Sequence, residues 1–333
     1  MKICQVHPGC GIPVPPPNWG AVEKIIWDYH QQLNKKGLEC QIKYLNEVNY
    51  NDNTIVHVHV ANLAIEAHKR GIKYIFSLHD HHAEWYGKES IVYKNNLEAI
   101  KGSVFSICHS KHIIDYFDST DKLFFLPHGV NTSFFKYKET VGDHALLMIA
   151  NNGIAGESTI DRKGFRYAIE AAMELDLPIT IAGPENNHEF FNGHRDLLKY
   201  DKLALKCHNP TDYQTLELYH THTIFMAPSM LEYGHPNLSL LEAVSCGLPI
   251  VGTCNNAPAG MILCERDTAD VVEKLKIALH NHDRLREMQF EKRDQYDWFW
   301  ICLQLKKMYD AAQIAPQNWT SEDTLNAYRN VYV

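Results

Sequence analysis

Residues 227–253 read APSMLEYGHPNLSLLEAVSCGLPIVGT. An apolar run, Ile224–Ala227, stops at Pro228, and a Pro-Asn-Leu-Ser turn follows. An amphipathic stretch then runs from Leu238 to Cys246, Gly247 and Pro249 punctuate its exit, and a second apolar run closes the segment at Thr253. Strand, loop, helix and strand in that order are the unit from which parallel sheets are built, because a helical crossover returns the chain to the same sheet edge. The turn also places a helix start beside a strand exit. The first turn of a helix carries unpartnered N–H groups and a partial positive charge, which suits a diphosphate. Glu242 lies about one turn inside that helix. It can accept hydrogen bonds from ribose hydroxyls, or it can be a solvated residue on a plainly capped helix.

The same alternation extends outward on both sides. Ala145–Ala150, Ile179–Ala182 and Pro249–Thr253 read as strands, and Gly164–Leu175, Tyr213–Tyr219 and Ala269–His280 as helices. Before them, Lys2–Pro8, Glu39–Leu45, Thr54–Val60, Lys73–Leu78, Val104–Cys108 and Leu123–Leu126 read as strands. Helices over Ala21–Lys36, Asn62–Arg70 and Lys111–Phe117 are interleaved with them, and a Pro/Gly-rich loop, Gly9–Gly20, precedes the first. The apolar signal lapses in KYKETVGDH, residues 136–144. This predicts an α/β chain of two Rossmann-like, doubly wound parallel-sheet domains, 1–140 and 141–299, facing each other across a cleft at the carboxyl ends of their strands. The aromatic C-terminal helices, about 300–333, are expected to fold back onto the first domain.

Composition narrows the function classes. The chain has 333 residues, 45% hydrophobic and 22% charged, enough for a real core and against disorder. No apolar run approaches a bilayer span, and MKICQVHPGC lacks a signal-peptide profile, so a cytoplasmic protein is expected. Nine cysteines with no C-x-x-C pair fit buried thiols in a reducing compartment rather than structural zinc. The net charge of −8 argues against nonspecific coating of nucleic acid. Residues 1–140 carry 15 Lys+Arg against 14 Asp+Glu, leaving 17 against 26 for the remainder, so a polyanion would prefer the first part.

The segment 227–253 resembles the nucleotide-binding signature of the family 4 glycosyltransferases, which have the two-domain GT-B fold. Further landmarks agree in order. They are WGAVEKI (Trp19–Ile25), VHVH (Val56–His59), LHD (Leu78–Asp80), HGVNTSFF (His128–Phe135), DRKG (Asp161–Gly164), IAGPE (Ile181–Glu185) and the approach Asp212–Glu232. The resemblance covers most of the chain to about residue 310. It implies a retaining, metal-independent hexosyl- or pentosyltransferase. Such an enzyme has no cofactor and moves a sugar from a UDP- or GDP-linked donor to a hydroxyl of a glycan or small molecule.

Carried over by position, the resemblance implies catalytic roles for His79, Lys163 and Glu232. Donor contacts fall on Gly20, Ala21, Arg162, Lys163, Pro236, Asn237, Leu238, Ser239 and Glu242, and acceptor contacts on Trp19, His79, His81 and Trp85. Departure of a nucleoside diphosphate builds negative charge that a fixed cation such as Lys163 must meet. Ala21 stands where the family has a second glycine. The family places two glutamates eight apart, but eight before Glu242 is Gly234. Either Glu232 takes that role through an altered 233–235 loop, or the backbone of Pro236–Ser239 holds the sugar. The family arginine after the first strand of the second domain is also absent, and Arg162 is its candidate substitute. His57 and His59 share one strand face beside His79, His81 and His82, a metal-ligand residue type, although neutral imidazoles serve equally in a core or at a sugar. Two alternatives stay open. Trp85, Tyr86, Lys88, Tyr93 and Lys94 would also suit a transferase acting on hydroxylated DNA bases, and the missing acid and arginine would suit a degenerate nucleotide-sugar-binding protein.

Overall fold

The computed structural model describes residues 1–9, 11–17, 20–51, 53–79, 82–117, 121–138, 145–152, 160–230, 236–254 and 256–314. It divides into two compact units, Met1–His128 with Trp298–Val333, and Gly129–Asp297. The first division falls before the expected residue 140, because HGVNTSFF builds into the second unit. Phe135 packs edge-on against Tyr219, its carbonyl accepts from the Ser245 hydroxyl, and Lys138 N–H donates to the Cys246 carbonyl. The second division falls at Trp298, so the helix that follows belongs with the first unit.

In the first unit the strands are β1 (Lys2–Val6), β2 (Glu39–Lys43), β3 (Thr54–Val58), β4 (Tyr74–Leu78), β5 (Ser106–Cys108) and β6 (Leu123–Phe125). All pair in parallel in the order β2-β1-β3-β4-β5-β6. Its helices are α1 (Ala21–Lys35), α2 (Ala61–Lys69), α3 (His82–Tyr86), α4 (Ile91–Gly102) and α5 (Lys111–Tyr116). Every residue of β4 is buried, as expected where helices cover both faces of a parallel sheet. Helix α1 turns Ile25, Ile26, Tyr29 and Leu33 inward and stops at Gly37, whose φ of 77° suits only glycine at low cost. The sequence series passes over α4, which starts at Ser90; the Ser90 hydroxyl accepts from Tyr93 N–H and caps it.

The second unit holds β7 (Leu146–Ile149), α6 (Phe165–Glu174), β8 (Ile179–Gly183), α7 (Asn187–Gly193), β9 (Leu203–Cys207) and α8 (Asp212–Thr221). It continues with β10 (Ile224–Ala227), α9 (Leu238–Cys246), β11 (Ile250–Gly252), β12 (Met261–Leu263), α10 (Thr268–His280) and α11 (His282–Lys292). The parallel order is β12-β11-β10-β7-β8-β9. Its core gathers Leu146, Met148, Phe165, Ile181, Phe190 and Met226. Each such side chain contributes about 1.5–3 kcal/mol by burial.

Helix α12 (Trp298–Ile314) packs against α1 and β3 of the first unit through Trp298 and Tyr309, both fully buried. Among the described residues no helix is long and apolar enough to cross a membrane.

Candidate functional site

Strand β7 lies between β8 and β10. The chain winds outward from it in both directions, so the carboxyl ends of β7 and β10 flank the switch point where ligands of open parallel sheets bind. The loop after β7 carries Arg162 and Lys163, and the loop after β10 leads into α9. The two loops are stitched together. Met230 N–H donates to the Arg162 carbonyl at 2.9 Å, and Arg266 donates from Nε to the Pro228 carbonyl at 3.1 Å and from its terminal nitrogen to the Asp161 carbonyl. Gly164, at φ 82°, comes so close to this seam that an added Cβ would lie 2.1 Å from the Pro228 oxygen.

Lys163 is held by its backbone. Its N–H donates to Asn152 Oδ1 at 3.0 Å, Asn152 Nδ2 donates to the Ile160 carbonyl at 2.7 Å, and Asn152 N–H donates to Asn187 Oδ1 at 2.9 Å. Asn152 and Asn187 are buried, so the amide pair fixes the base of the loop while the Lys163 residue stays half-exposed. The Arg162 guanidinium donates to the carbonyls of Asn151 at 2.7 Å and Asn152 at 3.4 Å. It therefore braces the loop as well as adding charge. Asp161 accepts from Gly164, Phe165 and Arg166 N–H at 2.7–2.8 Å, occupying the start of α6. Burial pushes its carboxyl up against the pull of those three donors.

Across the seam, Asn237 caps α9, its Oδ1 accepting from Leu240 N–H at 3.0 Å and from the Ser239 hydroxyl at 2.8 Å. The N–H groups of Leu238 and Ser239 lie in the first turn, where helix geometry supplies no partner four residues back. Glu242 is 6% exposed, so it is not a solvated face residue. Its Oε2 accepts from the Tyr219 hydroxyl at 3.0 Å, and burial beside this carboxyl pushes the Tyr219 phenol well up.

In the first unit a histidine follows the end of several strands, namely His59 after β3, His79 after β4, His109 after β5 and His128 beyond β6. Adjacent strands lie about 4.8 Å apart, and the first three rings repeat that spacing, with centroids 5.2 Å apart from His59 to His79 and 5.0 Å from His79 to His109. His128, three residues past β6, lies closer, 3.9 Å from His109. His57 joins from the same face of β3, 4.3 Å from His59. Burial holds both His57 and His59 well below the usual imidazole range, hence neutral. Among the described residues no group of three or more His, Cys, Asp or Glu is placed to hold a metal ion.

Gly20 precedes α1 with φ 151°, and an added Cβ would meet Glu23 Oε2 at 2.8 Å and Ile12 and Pro16 at 3.2 Å, so close packing alone requires glycine here. Ala21 opens α1 at the surface, and Trp85 is exposed on α3. Trp19, His81 and Glu232 lie outside the described residues. Arg162, Lys163 and Pro236–Ser239 thus share one switch point, with Glu242 behind them, whereas Gly20, Ala21, His79 and Trp85 stand in the other unit. Sequence reasoning did not find Asn152, Asn187, Arg266 or His109. The signal for His109 was present, since His follows the last residue of three apolar runs: Val58-His59, Leu78-His79 and Cys108-His109. Nothing in the spacing marks the two asparagines.

The model of the family Glycosyl transferases group 1 matches residues 153–281. No curated protein matches the chain. Among solved structures, the chain is similar to Anabaena Alr3699/HepE in complex with UDP and glucose (TM-score 0.69, 11% identity, 93% of this chain and 99% of that one). It is similar also to a glycosyltransferase from Rickettsia africae (0.64, 14%, 95% and 99%). A third is AviGT4, a glycosyltransferase involved in avilamycin A biosynthesis (0.63, 15%, 94% and 98%). At these identities the likeness speaks for the fold. The chain has the GT-B fold, two α/β units each built on a six-stranded parallel sheet, and its second unit carries the glycosyl transferases group 1 pattern.

Proposed function

We propose that this protein is a retaining glycosyltransferase that moves a hexosyl or pentosyl group from a UDP- or GDP-linked donor to a hydroxyl of a glycan or small molecule. The observation that carries this is the second-unit switch point, where the Lys163 loop and the first turn of α9 emerge from neighbouring strands, within the region that matches the family model. The donor diphosphate meets the Lys163 ammonium and the N–H groups of Leu238 and Ser239. Glu242, fixed by Tyr219, accepts from the ribose. The Pro236–Ser239 backbone holds the sugar, and Glu232 remains the acid to test there. For the first unit, the family resemblance assigns Gly20 and Ala21 to the donor, and His79, Trp85, Trp19 and His81 to the transferred sugar or the acceptor.

In the reaction the bond between the anomeric carbon and the phosphate oxygen breaks and its electron pair leaves with the diphosphate. The acceptor oxygen bonds to the same face of the sugar, and its proton passes to the departing phosphate. Charge builds on the diphosphate in that transition state, where a preorganised cation and helix start act most strongly. No resident cofactor or metal enters this scheme. The eight described cysteines are all buried free thiols, which supports a cytoplasmic setting.

The test is incubation with a panel of UDP-, GDP- and ADP-sugars, reading nucleotide release and thermal stability together. A matched nucleotide at a hundredfold over its Kd stabilises by about 2.7 kcal/mol. Stabilisation with no transfer to any hydroxyl acceptor points to a binding protein that has lost catalysis. Absence of both signals across the panel removes the proposal.

A further inference from the structure

The seam between the two loops of the second-unit switch point is closed from a third side. Strand β12 lies at the sheet edge, and the loop from its end to α10 carries Arg266, which reaches past β11 to the loops that follow β10 and β7. There the guanidinium donates from Nε to the Pro228 carbonyl at 3.1 Å and from a terminal nitrogen to the Asp161 carbonyl. Pro228 directly follows β10, and Asp161 lies two residues before Lys163. The same guanidinium lies over the Tyr167 ring of α6, 5.1 Å from its centroid. Its own loop is anchored, since Cys264 N–H donates to the Gly252 carbonyl at 2.9 Å and Glu265 N–H to Asp270 Oδ2 at 2.7 Å.

One planar fork that serves two carbonyls fixes the distance between them, which an ammonium on a flexible stem does not. The Asp161 end of this tie is stiff on its far side as well. The Asp161 carboxylate holds the first turn of α6, and Lys163 N–H is bonded to Asn152, just beyond β7. The constraint therefore falls on the backbone that leads into Lys163, and it holds whichever group the ammonium meets in the donor-free protein. The packing of α10 on α6 has other supports. Ile169, Ala172, Val271 and Leu275 share one buried core, and the Thr268 hydroxyl donates to Glu170 at 2.6 Å.

We propose that Arg266 is a positioning residue for sugar transfer, which sets the place of Lys163 against the loop leading into α9 by tying Asp161 to Pro228. This rests on the reading above that Lys163 meets the departing diphosphate. A fixed cation stabilises charge developing in a transition state only from a preset place, and a misplacement of about 1 Å costs up to about 10²-fold in rate. Loosening the tie therefore slows the chemical step more than it weakens donor binding.

The tie is read first without substrate, by amide hydrogen exchange on the full-length protein. The variants are Arg266→Lys, which keeps the charge but lacks the fork, and Arg266→Met, which keeps only the stem. In both, the amides of Lys163 and Met230 are expected to exchange at least about tenfold faster. The Leu240 amide, bonded to Asn237 Oδ1, is the internal control and stays as in the wild type. Unchanged exchange at both Lys163 and Met230 overturns the proposal. Function is then read as a double-mutant cycle with Lys163→Ala, using the UDP- or GDP-sugar that turns over in the panel. In the wild-type background Arg266→Lys is expected to lower kcat about tenfold or more, with the donor KM within about twofold. In the Lys163→Ala background the same change is expected to cost at most about twofold, because the group it acts through is gone. A residue that only holds the fold together lowers kcat by the same factor in both backgrounds, and that result also overturns the proposal. Wild-type turnover in Lys163→Ala, or no transfer from any donor, would instead sink the reading of Lys163 on which this rests. The exchange measurement, which needs no donor, tells that failure from a failure of the tie.

Discussion

Lys163 and Arg162 leave the same loop with different duties. The guanidinium is committed to the carbonyls of Asn151 and Asn152, whereas the described bond from Lys163 to Asn152 is made by its backbone N–H, which alanine keeps. Lys163→Ala is expected to fold. It is expected to lose on the order of 10²–10³ in the rate of sugar transfer, read as nucleotide release, since one preorganised donor to a developing charge is removed. Wild-type rates in that variant would take the cation out of the mechanism. Gly164, next in the chain, answers to a different measurement. A methyl group there collides with the Pro228 carbonyl and sits at a positive φ, so Gly164→Ala is expected to cost at least about 2 kcal/mol in denaturant unfolding. Tyr219→Phe deletes the hydroxyl that meets the buried Glu242 carboxylate. A loss of about 1.5–3 kcal/mol is expected from a hydrogen bond to a charged group, and a change near zero would mean that Glu242 is satisfied without it.

At the scale of elements, the two sheets were legible because each strand is a short apolar run bounded by Gly, Pro or a polar turn, and each crossover helix shows a 3.6-residue apolar period. Strand β10 and helix α9 lie where the sequence places them, Ile224–Ala227 and Leu238–Cys246. Strand β9 is less legible, since it alternates half-buried and exposed residues at a sheet edge, and so is β12 at the other edge, with two half-buried residues and one exposed. In the candidate site the signature helix was readable from spacing, whereas Lys163 was named only by the family resemblance. The burial of Glu242 was not, because it depends on α8 delivering Tyr219 from elsewhere in the chain. Asp161 shows the same limit. Nothing local says that this acid spends both oxygens on α6, yet three N–H groups of that first turn converge on it. Asp161→Ala strips that cap and is expected to cost about 1–2 kcal/mol, with the Lys163 loop losing order as well. Hydrogen exchange at Gly164, Phe165 and Arg166 is the check, and unchanged protection at all three would show that the cap contributes nothing.

Over the whole molecule, acid distinguishes the two units. His57 and His59 are buried and neutral in the first unit, and their described partners Tyr29, Tyr309, Gln5, Ser77 and His79 include no carboxylate that would hold an imidazolium. Both folded pKa values lie well below the ordinary 6.5, chiefly through burial. Below that pH the unfolded chain therefore binds more protons than the folded one. The stability these rings allow is complete above about pH 6.5 and is lost as pH falls, by about 1.4 kcal/mol per pH unit for each ring. The second unit has one described histidine shifted the same way, His222, which is less deeply enclosed. All six tryptophans of the chain lie in residues 1–128 and 298–333, so indole fluorescence reports the first unit alone. Urea unfolding followed by that fluorescence is expected to lose stability between pH 6 and pH 5, by up to about 2.4 kcal/mol for two rings that stay neutral in the folded unit. A His57→Gln/His59→Gln double variant, which keeps a donor and an acceptor at each position, is expected to flatten that slope. A wild-type slope as shallow as the variant's would mean that the buried rings do not set the acid limit of this unit, and the acid sensitivity would have to be sought among its carboxylates.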